Sequence, residues 1–276
     1  MTRRLGIFLV SVMTLALLVL ADFWPSQTVK IWVLDIGQGD AIFIDAPEAQ
    51  VLIDGGPSPV VLERLGMVLP WWDRRLDVVV NTHPHADHLV GLLPVLERYQ
   101  VDLVLDADEG YDTPEFAEYL RLASDARQVV SAGDVFDLGQ GASLRTVWPP
   151  QPYDGAWLDD PNDGSVVMEF SYQGVSVLLT GDAGAAEEAE WDVGQIDILK
   201  VGHHGSDTST SVEFLQRIQP EVALIPVGVD NDYNHPSTFV VDRLLNFGAQ
   251  VFRTDTDGNI RVKIKNGQYS VKTIRF

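Results

Sequence analysis

The sequence contains no cysteine, which excludes a disulfide framework, a thiolate metal site and a cysteine nucleophile. Base is scarce as well: 19 Lys+Arg stand against 40 Asp+Glu, a formal net charge of −21. A protein that grips nucleic acid through a broad basic face needs many Lys/Arg–phosphate contacts, so this balance argues against that class. A local cationic site made by bound metal ions stays open. Histidine is limited to six residues, and neither an internal repeat nor a low-complexity linker is present. What the chain does have is apolar content, 46% of 276 residues, enough to bury a sizeable core and to rule out global disorder.

The chain opens Met1-Thr2-Arg3-Arg4, runs uncharged and apolar over residues 5–21, and continues Asp22-Phe23-Trp24-Pro25. A helix over that run spans about 25 Å at ~1.5 Å per residue, slightly short of a ~30 Å hydrocarbon core. Two arginines ahead and an acid behind favour an N-terminus inside and the remainder outside. The expectation for residues 1–24 is one apolar helix that anchors the protein in a membrane, with the globular part extracytoplasmic. The competing reading is a signal peptide cleaved after Ala21, which would give a secreted protein. Residues 25–276 read as one globular domain of mixed α and β.

Within that domain, short β-rich runs are broken by Gly, Asp and Pro. Strands are expected over 29–36, 41–44, 51–53, 76–80, 143–148, 166–172, 175–180, 196–201, 222–227, 251–253, 260–264 and 269–274. Helical spacing marks 89–99, with a kink expected at Pro94, and 114–123, 184–191, 211–218 and 237–247. Thr113-Pro114-Glu115 carries an N-cap with proline at the first helical position. Tyr172-Gln173-Gly174-Val175 predicts a tight antiparallel hairpin. Asp255-Thr256-Asp257-Gly258-Asn259 is read as a hairpin turn between two strands rather than a calcium loop. The one long irregular stretch runs from Trp148 to Asn162, and long loops in compact domains are often functional.

All six histidines fall in three clusters: His83, His85 and His88; His203 and His204; and His235. The first cluster, His83-Pro84-His85-Ala86-Asp87-His88, follows directly on an apolar strand. Three imidazoles and a carboxylate within six residues can supply ligands for two divalent ions, completed by distant groups. Asp182 ends another apolar strand in Thr180-Gly181-Asp182, where it can bridge two metals or simply cap a helix. His203 and His204 also follow a strand; one of the two can ligate while the other donates to substrate or orients a partner. Ligand-type residues at the ends of three apolar strands form a repeated placement that the bland readings do not explain.

The cluster His83-Pro84-His85-Ala86-Asp87-His88 resembles the HxHxDH signature of the metallo-beta-lactamase fold superfamily. A longer ordered string is similar to the hydrolase domain of ComEC-type competence (DNA-uptake) proteins. It comprises Leu34-Asp35-Ile36-Gly37-Gln38-Gly39-Asp40-Ala41, Leu52-Ile53-Asp54-Gly55-Gly56, Leu178-Leu179-Thr180-Gly181-Asp182, residues 199–206, Asn234-His235-Pro236 and Arg253-Thr254-Asp255. The resemblance implies a four-layer αββα sandwich, here preceded by the apolar helix. It assigns His83, His85 and Asp182 to one metal, and Asp87, His88, Asp182 and one of His203/His204 to the other. Asp54 would fix imidazole orientation from behind. The superfamily usually supplies a further histidine roughly twenty residues before the bridging aspartate, and this chain has none there. Asn162 and Ser165, in Asp159-Asp160-Pro161-Asn162-Asp163-Gly164-Ser165, resemble the Asn-x-x-Ser stretch of the ComEC-like branch. An oxygen-richer first site shifts preference from zinc towards manganese.

The resemblance therefore implies metal-assisted hydrolysis of a phosphodiester by a nuclease of DNA uptake or DNA degradation. Asp87 would orient the attacking water, and His204 or its neighbour would touch substrate. His235 would contact phosphate or protonate the leaving oxygen. Gln38, Asp40 and Ser206 are expected to line or support the site; Gln38 and Asp40 can equally belong to a plain tight turn. Related proteins carry a many-helix membrane channel that this sequence lacks, so a separate channel protein is an expected partner. The alternatives are an exported hydrolase of small phosphodiesters such as phosphorylcholine esters, a lactone hydrolase, or a non-catalytic metal-binding envelope module.

Overall fold

The structure, a computed structural model, describes residues 27–275; the expected anchor or signal lies outside them. The chain begins with an antiparallel meander, β1 (Thr28–Val33), β2 (Ile42–Asp45) and β3 (Gln50–Ile53), and continues in parallel through β4 (Arg75–Val80), β5 (Gln100–Asp106) and β6 (Arg127–Val129). It then crosses to a second sheet. There β7 (Val135–Asp137), β8 (Ser143–Trp148), β9 (Val167–Tyr172) and β10 (Val175–Leu179) are antiparallel, while β11 (Ile198–Lys200), β12 (Val222–Ile225) and β13 (Gln250–Arg253) run parallel to β10. Finally β14 (Asn259–Lys265) and β15 (Gln268–Ile274) return to the first sheet beside β1. The sheet orders are β15-β14-β1-β2-β3-β4-β5-β6 and β13-β12-β11-β10-β9-β8-β7.

Side-chain alternation builds the layers. In β3, Val51 and Ile53 face the second sheet, and Val175, Val177 and Leu179 of β10 face the first. Their neighbours point outward: Leu52 packs with Leu65 of α1 (Val60–Val68) and with residues of the helices that follow β4 and β5, and Leu178 packs on the opposite side. Strands apolar on both faces are what a sheet covered on both sides requires. α1, α2 (Ala86–Leu89), α3 (Leu92–Arg98) and α4 (Pro114–Ala123) cover one sheet; α5 (Ala185–Glu188), α6 (Val212–Ile218) and α7 (Thr238–Asn246) cover the other. The result is the expected four-layer α/β sandwich.

Local expectations hold at two termini. Thr113 Oγ1 accepts from the Phe116 amide at 3.2 Å and starts α4. Gln173 and Gly174 both take positive φ, 52° and 83°, as the tight hairpin between paired Tyr172 and Val175 demands. Two expectations are corrected. The helix over 89–99 is two pieces, and the break is at Gly91 rather than Pro94. A Cβ at residue 91 would collide with the Gly55 carbonyl, and the Gly91 amide donates to Gly56 O at 2.8 Å. Pro94 sits in the first turn of α3, where no amide proton is needed. Residues 255–259 are not a hairpin turn: one helical turn, α8 (Thr254–Asp257), carries the chain from one sheet to the other.

The parallel strands bring the C-terminal ends of β3, β4, β10, β11 and β12 to one rim of the sandwich. Every strand-end cluster singled out in the sequence lies on that rim.

Candidate metal centre

Asp54 leaves β3 in the left-handed region, φ 58°, and is fully buried. It accepts from Thr82 N at 2.8 Å, Thr82 Oγ1 at 2.7 Å and His88 Nδ1 at 2.8 Å. That last bond places the His88 proton on Nδ1 and aims Nε2 at the rim. His204 is set the same way, with Nδ1 donating to Pro226 O at 3.0 Å. The two Nε2 atoms are 3.3 Å apart, and each lies 3.2 Å from Asp182 Oδ2. Asp87 Oδ2 lies 3.2 Å from His204 Nε2 and 3.9 Å from His88 Nε2. Lone pairs of two imidazoles and two carboxylates thus converge, all ligand atoms within 4.8 Å of one another. Such convergence calls for a positive charge at its centre, and two nitrogens with two oxygens suit a divalent ion. The donor set fits the metal that the resemblance implies.

A second pair adjoins it. His83 Nε2 and His85 Nδ1 are 3.1 Å apart. His83 Nδ1 lies 3.1 Å from Thr82 Oγ1 and 3.4 Å from Ser165 Oγ, and Ser165 Oγ accepts from the Asp182 amide at 3.0 Å. Asn162 Oδ1 and Asp182 Oδ1 are buried without a hydrogen-bond partner. Asn162, His85 and Asp182 all border one cavity of about 410 Å³. This half of the centre offers two imidazoles plus oxygen donors and no third histidine.

Burial, helped by the charge of His88, holds the His83 pKa well below the ordinary value. Burial also acts against charge on His88 and His204, but the Asp182 carboxylate and its neighbours overcome it and push both well above the ordinary value. Without an ion, the protons of these two imidazoles supply the missing positive charge; metal binding displaces them. Burial opposes ionisation of Asp182 too, yet His204, His88 and Lys200 hold its pKa well below the carboxylate range.

The remaining expected residues divide between the cavity wall and the layer that supports it. Asp40 does not line the mouth. It is buried beneath the centre, ion-paired with Lys200 and 3.3 Å from His204 Nδ1. The reason is Gly39, at φ +120°, where a Cβ would strike the Asp87 carbonyl; Asp40 N donates to that same oxygen at 3.2 Å. Gln38 does line the cavity, its Oε1 accepting from Gly228 N at 3.1 Å. His203 stays outside the ligand cluster: Nδ1 is 3.2 Å from Thr208 Oγ1 and the ring is 5.6 Å from that of His235. Ser206 does not line the cavity either; its Oγ accepts from Thr208 Oγ1 at 3.0 Å and supports the Thr208–His203 contact. His235 forms the far wall with Tyr233 stacked on it at 5.8 Å. Burial, with His203 and His204 nearby, lowers its pKa.

Lys200 was missed by sequence reasoning. Its side chain is wholly buried; Nζ donates to Gly181 O at 2.6 Å and lies 3.5 Å from Asp182 Oδ1. The available signal was a lone lysine in an apolar strand, because lysine is almost never fully buried unless paired.

A two-sheet α/β sandwich with imidazoles and carboxylates at its strand ends defines a metal-dependent hydrolase class. The metallo-beta-lactamase superfamily model matches residues 34–229, and the chain belongs to that superfamily. It is similar to ComE operon protein 3 of Bacillus subtilis, with 32% identity over 270 residues covering 86% of this chain and 34% of the relative. It is also similar to competence protein ComA of Neisseria gonorrhoeae, with 28% identity over 266 residues covering 91% of this chain and 34% of the relative. The chain thus spans about a third of the length of these curated relatives. Among solved structures, a diphosphatase from the PhnP family shares the fold, with a TM-score of 0.51 and 14% identity over 90% of this chain and 99% of that one. Among the described residues, no helix is long and apolar enough to cross a membrane.

Proposed function

We propose that the protein is a metal-dependent phosphodiester hydrolase acting on DNA, held outside the cytoplasm by an anchor formed from residues 5–21. The observation that carries this reading is the convergence of His88 Nε2, His204 Nε2, Asp87 and Asp182 beside the His83–His85 pair, at the floor of an open cavity. Similarity to a competence protein supports DNA as the substrate.

In this reading His83, His85 and Asp182, with Asn162 as an oxygen donor, would hold one ion, and Asp87, His88, Asp182 and His204 would hold the other. Divalent ions there supply Lewis acidity and a more acidic water. The oxygen-richer first position favours manganese over zinc. Asp87, ionised and at the cavity edge, accepts a hydrogen bond from the attacking water and orients it. Attack at phosphorus forms one P–O bond and breaks the ester P–O bond on the opposite side; the proton that the water loses passes through Asp87 to solvent, and the leaving oxygen takes a proton from solvent at the open mouth of the cavity. His235 is neutral near pH 7 because its pKa is lowered; that suits donation to a phosphate oxygen better than protonation of the leaving group. Asp54, Thr82 and Ser165 keep the imidazoles and Asp182 in register.

One observation favours a second reading, a hydrolase of small phosphodiesters: no Lys or Arg is among the described residues lining the cavity. The test is a matrix of Mn, Zn, Mg and Co against single- and double-stranded DNA and glycerophosphocholine, with Asp182→Ala and His85→Ala as controls. Metal-dependent DNA cleavage lost in both variants supports the nuclease. Hydrolysis of the small diester without DNA cleavage replaces it with the second reading, and cleavage intact in both variants refutes the centre.

A further inference from the structure

At the end of the first sheet remote from the metal centre, between α1 and β4, Trp71 and Trp72 are 79% and 69% exposed. Their rings pack edge to face with centroids 5.6 Å apart, and Met67 beside them is 41% exposed. Strand register fixes which end this is. Lys30 pairs with Asp45, Asp45 with Gln50, and Val51 with Val78. The starts of β1, β3 and β4 therefore lie together, with the tryptophans, while Asp54 and His83 leave the opposite ends. The length of β4 separates the two ends by about 20 Å.

Thr28, the first residue of β1, stands three strand spacings from β4, about 14 Å. The uncharged apolar run over residues 5–21 ends seven residues before Thr28, and seven residues reach at most roughly 24 Å. A chain anchored through that run keeps this end of the sandwich, tryptophans included, within reach of the lipid surface. Indole is an amphipathic ring that settles at the membrane–water interface.

We propose that Trp71 and Trp72, with Met67, insert into the headgroup interface of the membrane, turning the cavity mouth away from the lipid. The proposal rests on the anchored reading above. The contact is apolar rather than electrostatic: the net charge is −21, and both basic residues beside the patch have partners, Arg75 bonding Asp102 and lying 3.3 Å from Asp77, and Arg74 donating to Tyr99 Oη at 3.0 Å. Asp73 in turn accepts from Gln50 Nε2 at 2.8 Å. Uncharged lipid suffices, and salt does not weaken the contact.

The test uses the full chain reconstituted into phosphatidylcholine vesicles whose acyl chains are brominated, a collisional quencher of tryptophan. The wild type and a Trp71→Ser/Trp72→Ser variant are compared by flotation and by quenched emission. Both are expected to float, and the variant to lose roughly two-thirds of the lipid-quenchable emission, the rest coming from Trp24 beside the apolar run. The loss should persist in 1 M salt. Equal quenching in the two proteins overturns the proposal, as does a wild type that does not float. A dimer in detergent that the double substitution abolishes, without lipid quenching, overturns it in favour of a second copy on the patch. Catalytic failure in the matrix above leaves these optical readouts intact, so the two readings fail separately.

Discussion

Replacing Asp54 by asparagine changes one oxygen to an NH2 group inside a closed hydrogen-bond set, and the consequences can be followed atom by atom. The carboxylate accepts three bonds, from Thr82 N, Thr82 Oγ1 and His88 Nδ1. In Asp54→Asn the remaining oxygen can keep Thr82 N, which puts the new NH2 group within 2.7–2.8 Å of Thr82 Oγ1 and His88 Nδ1. His88 Nδ1 must then accept, so its proton moves to Nε2, the atom that faces Asp182 and His204. The Thr82 hydroxyl, now an acceptor from asparagine, turns its proton towards His83 Nδ1, 3.1 Å away, and sends the His83 proton to Nε2 as well. One substitution thus blocks two ligand atoms while preserving volume. Loss of such supporting bonds typically costs 10–100-fold in metal affinity, about 1.4–2.8 kcal/mol. In the metal-free protein His88 carries its extra proton and Asp54 is one of the buried carboxylates that face it, so the substitution should also destabilise that state, by about 1–3 kcal/mol. The assays are calorimetric titration of Mn and Zn at pH 7 and urea unfolding of the metal-free protein. Metal affinity within twofold of wild type would refute the tautomer argument.

Further outcomes are expected elsewhere in the fold. Both oxygens of Glu109 are buried without a partner, and burial, with repulsion from Asp160 and Asp163, raises its pKa to about 8. The unfolded chain releases this proton first, so the residue lowers stability progressively as pH rises from about 4.5 to 8. Glu109→Gln should be neutral at pH 4 and more stable than wild type at pH 9 by roughly 1–3 kcal/mol; a gain independent of pH in urea unfolding would contradict this. Lys200→Met strands Asp40 and Asp182 without their buried cation and should cost about 3–5 kcal/mol. Adding Asp40→Asn should restore a large part of that loss, whereas strictly additive losses would show that the two groups are uncoupled. Tyr233, exposed and stacked on His235 at the cavity wall, offers a face for a base. Tyr233→Ala should raise KM for single-stranded DNA about tenfold through ~1–3 kcal/mol of lost stacking, and leave an oligonucleotide abasic at that position unaffected.

The strand-end ligands were legible because each follows a largely apolar strand, and a buried parallel strand must deliver its next residues to a common rim. Helix α1 and strand β5 were not anticipated. β5 begins with exposed Gln100 and Asp102 and only then runs apolar to buried Asp106, and α1 exposes Met67 and a glycine; each pattern is too mixed for periodicity alone to assign. The choice between His203 and His204 depends on two consecutive left-handed residues, φ 47° and 52°, and no residue type announces such a turn. The choice for Asp40 between lining the mouth and supporting the site from beneath was open for a similar reason. Its position follows from the approach of Gly39 to the Asp87 carbonyl, a contact between segments almost fifty residues apart. The sheet-to-sheet passage through α8 was read as a hairpin because a short acidic, glycine-containing segment between strands looks the same in sequence whether the strands are neighbours or not.

The candidate ligands come from both sheets: His83, His85, Asp87 and His88 from the first, Asp182 and His204 from the second. An ion held by them would staple one sheet to the other across nearly a hundred residues of intervening chain. In thermodynamic terms that is a loop closure, whose entropic benefit grows with the logarithm of the span. On the extracytoplasmic reading proposed above, a chain without cysteine would obtain from this centre the cross-link that exported proteins obtain from paired thiols. Stripping the metal should accordingly loosen the seam between the sheets before it disturbs either sheet, with amide exchange rising first at the ends of β4, β10 and β11.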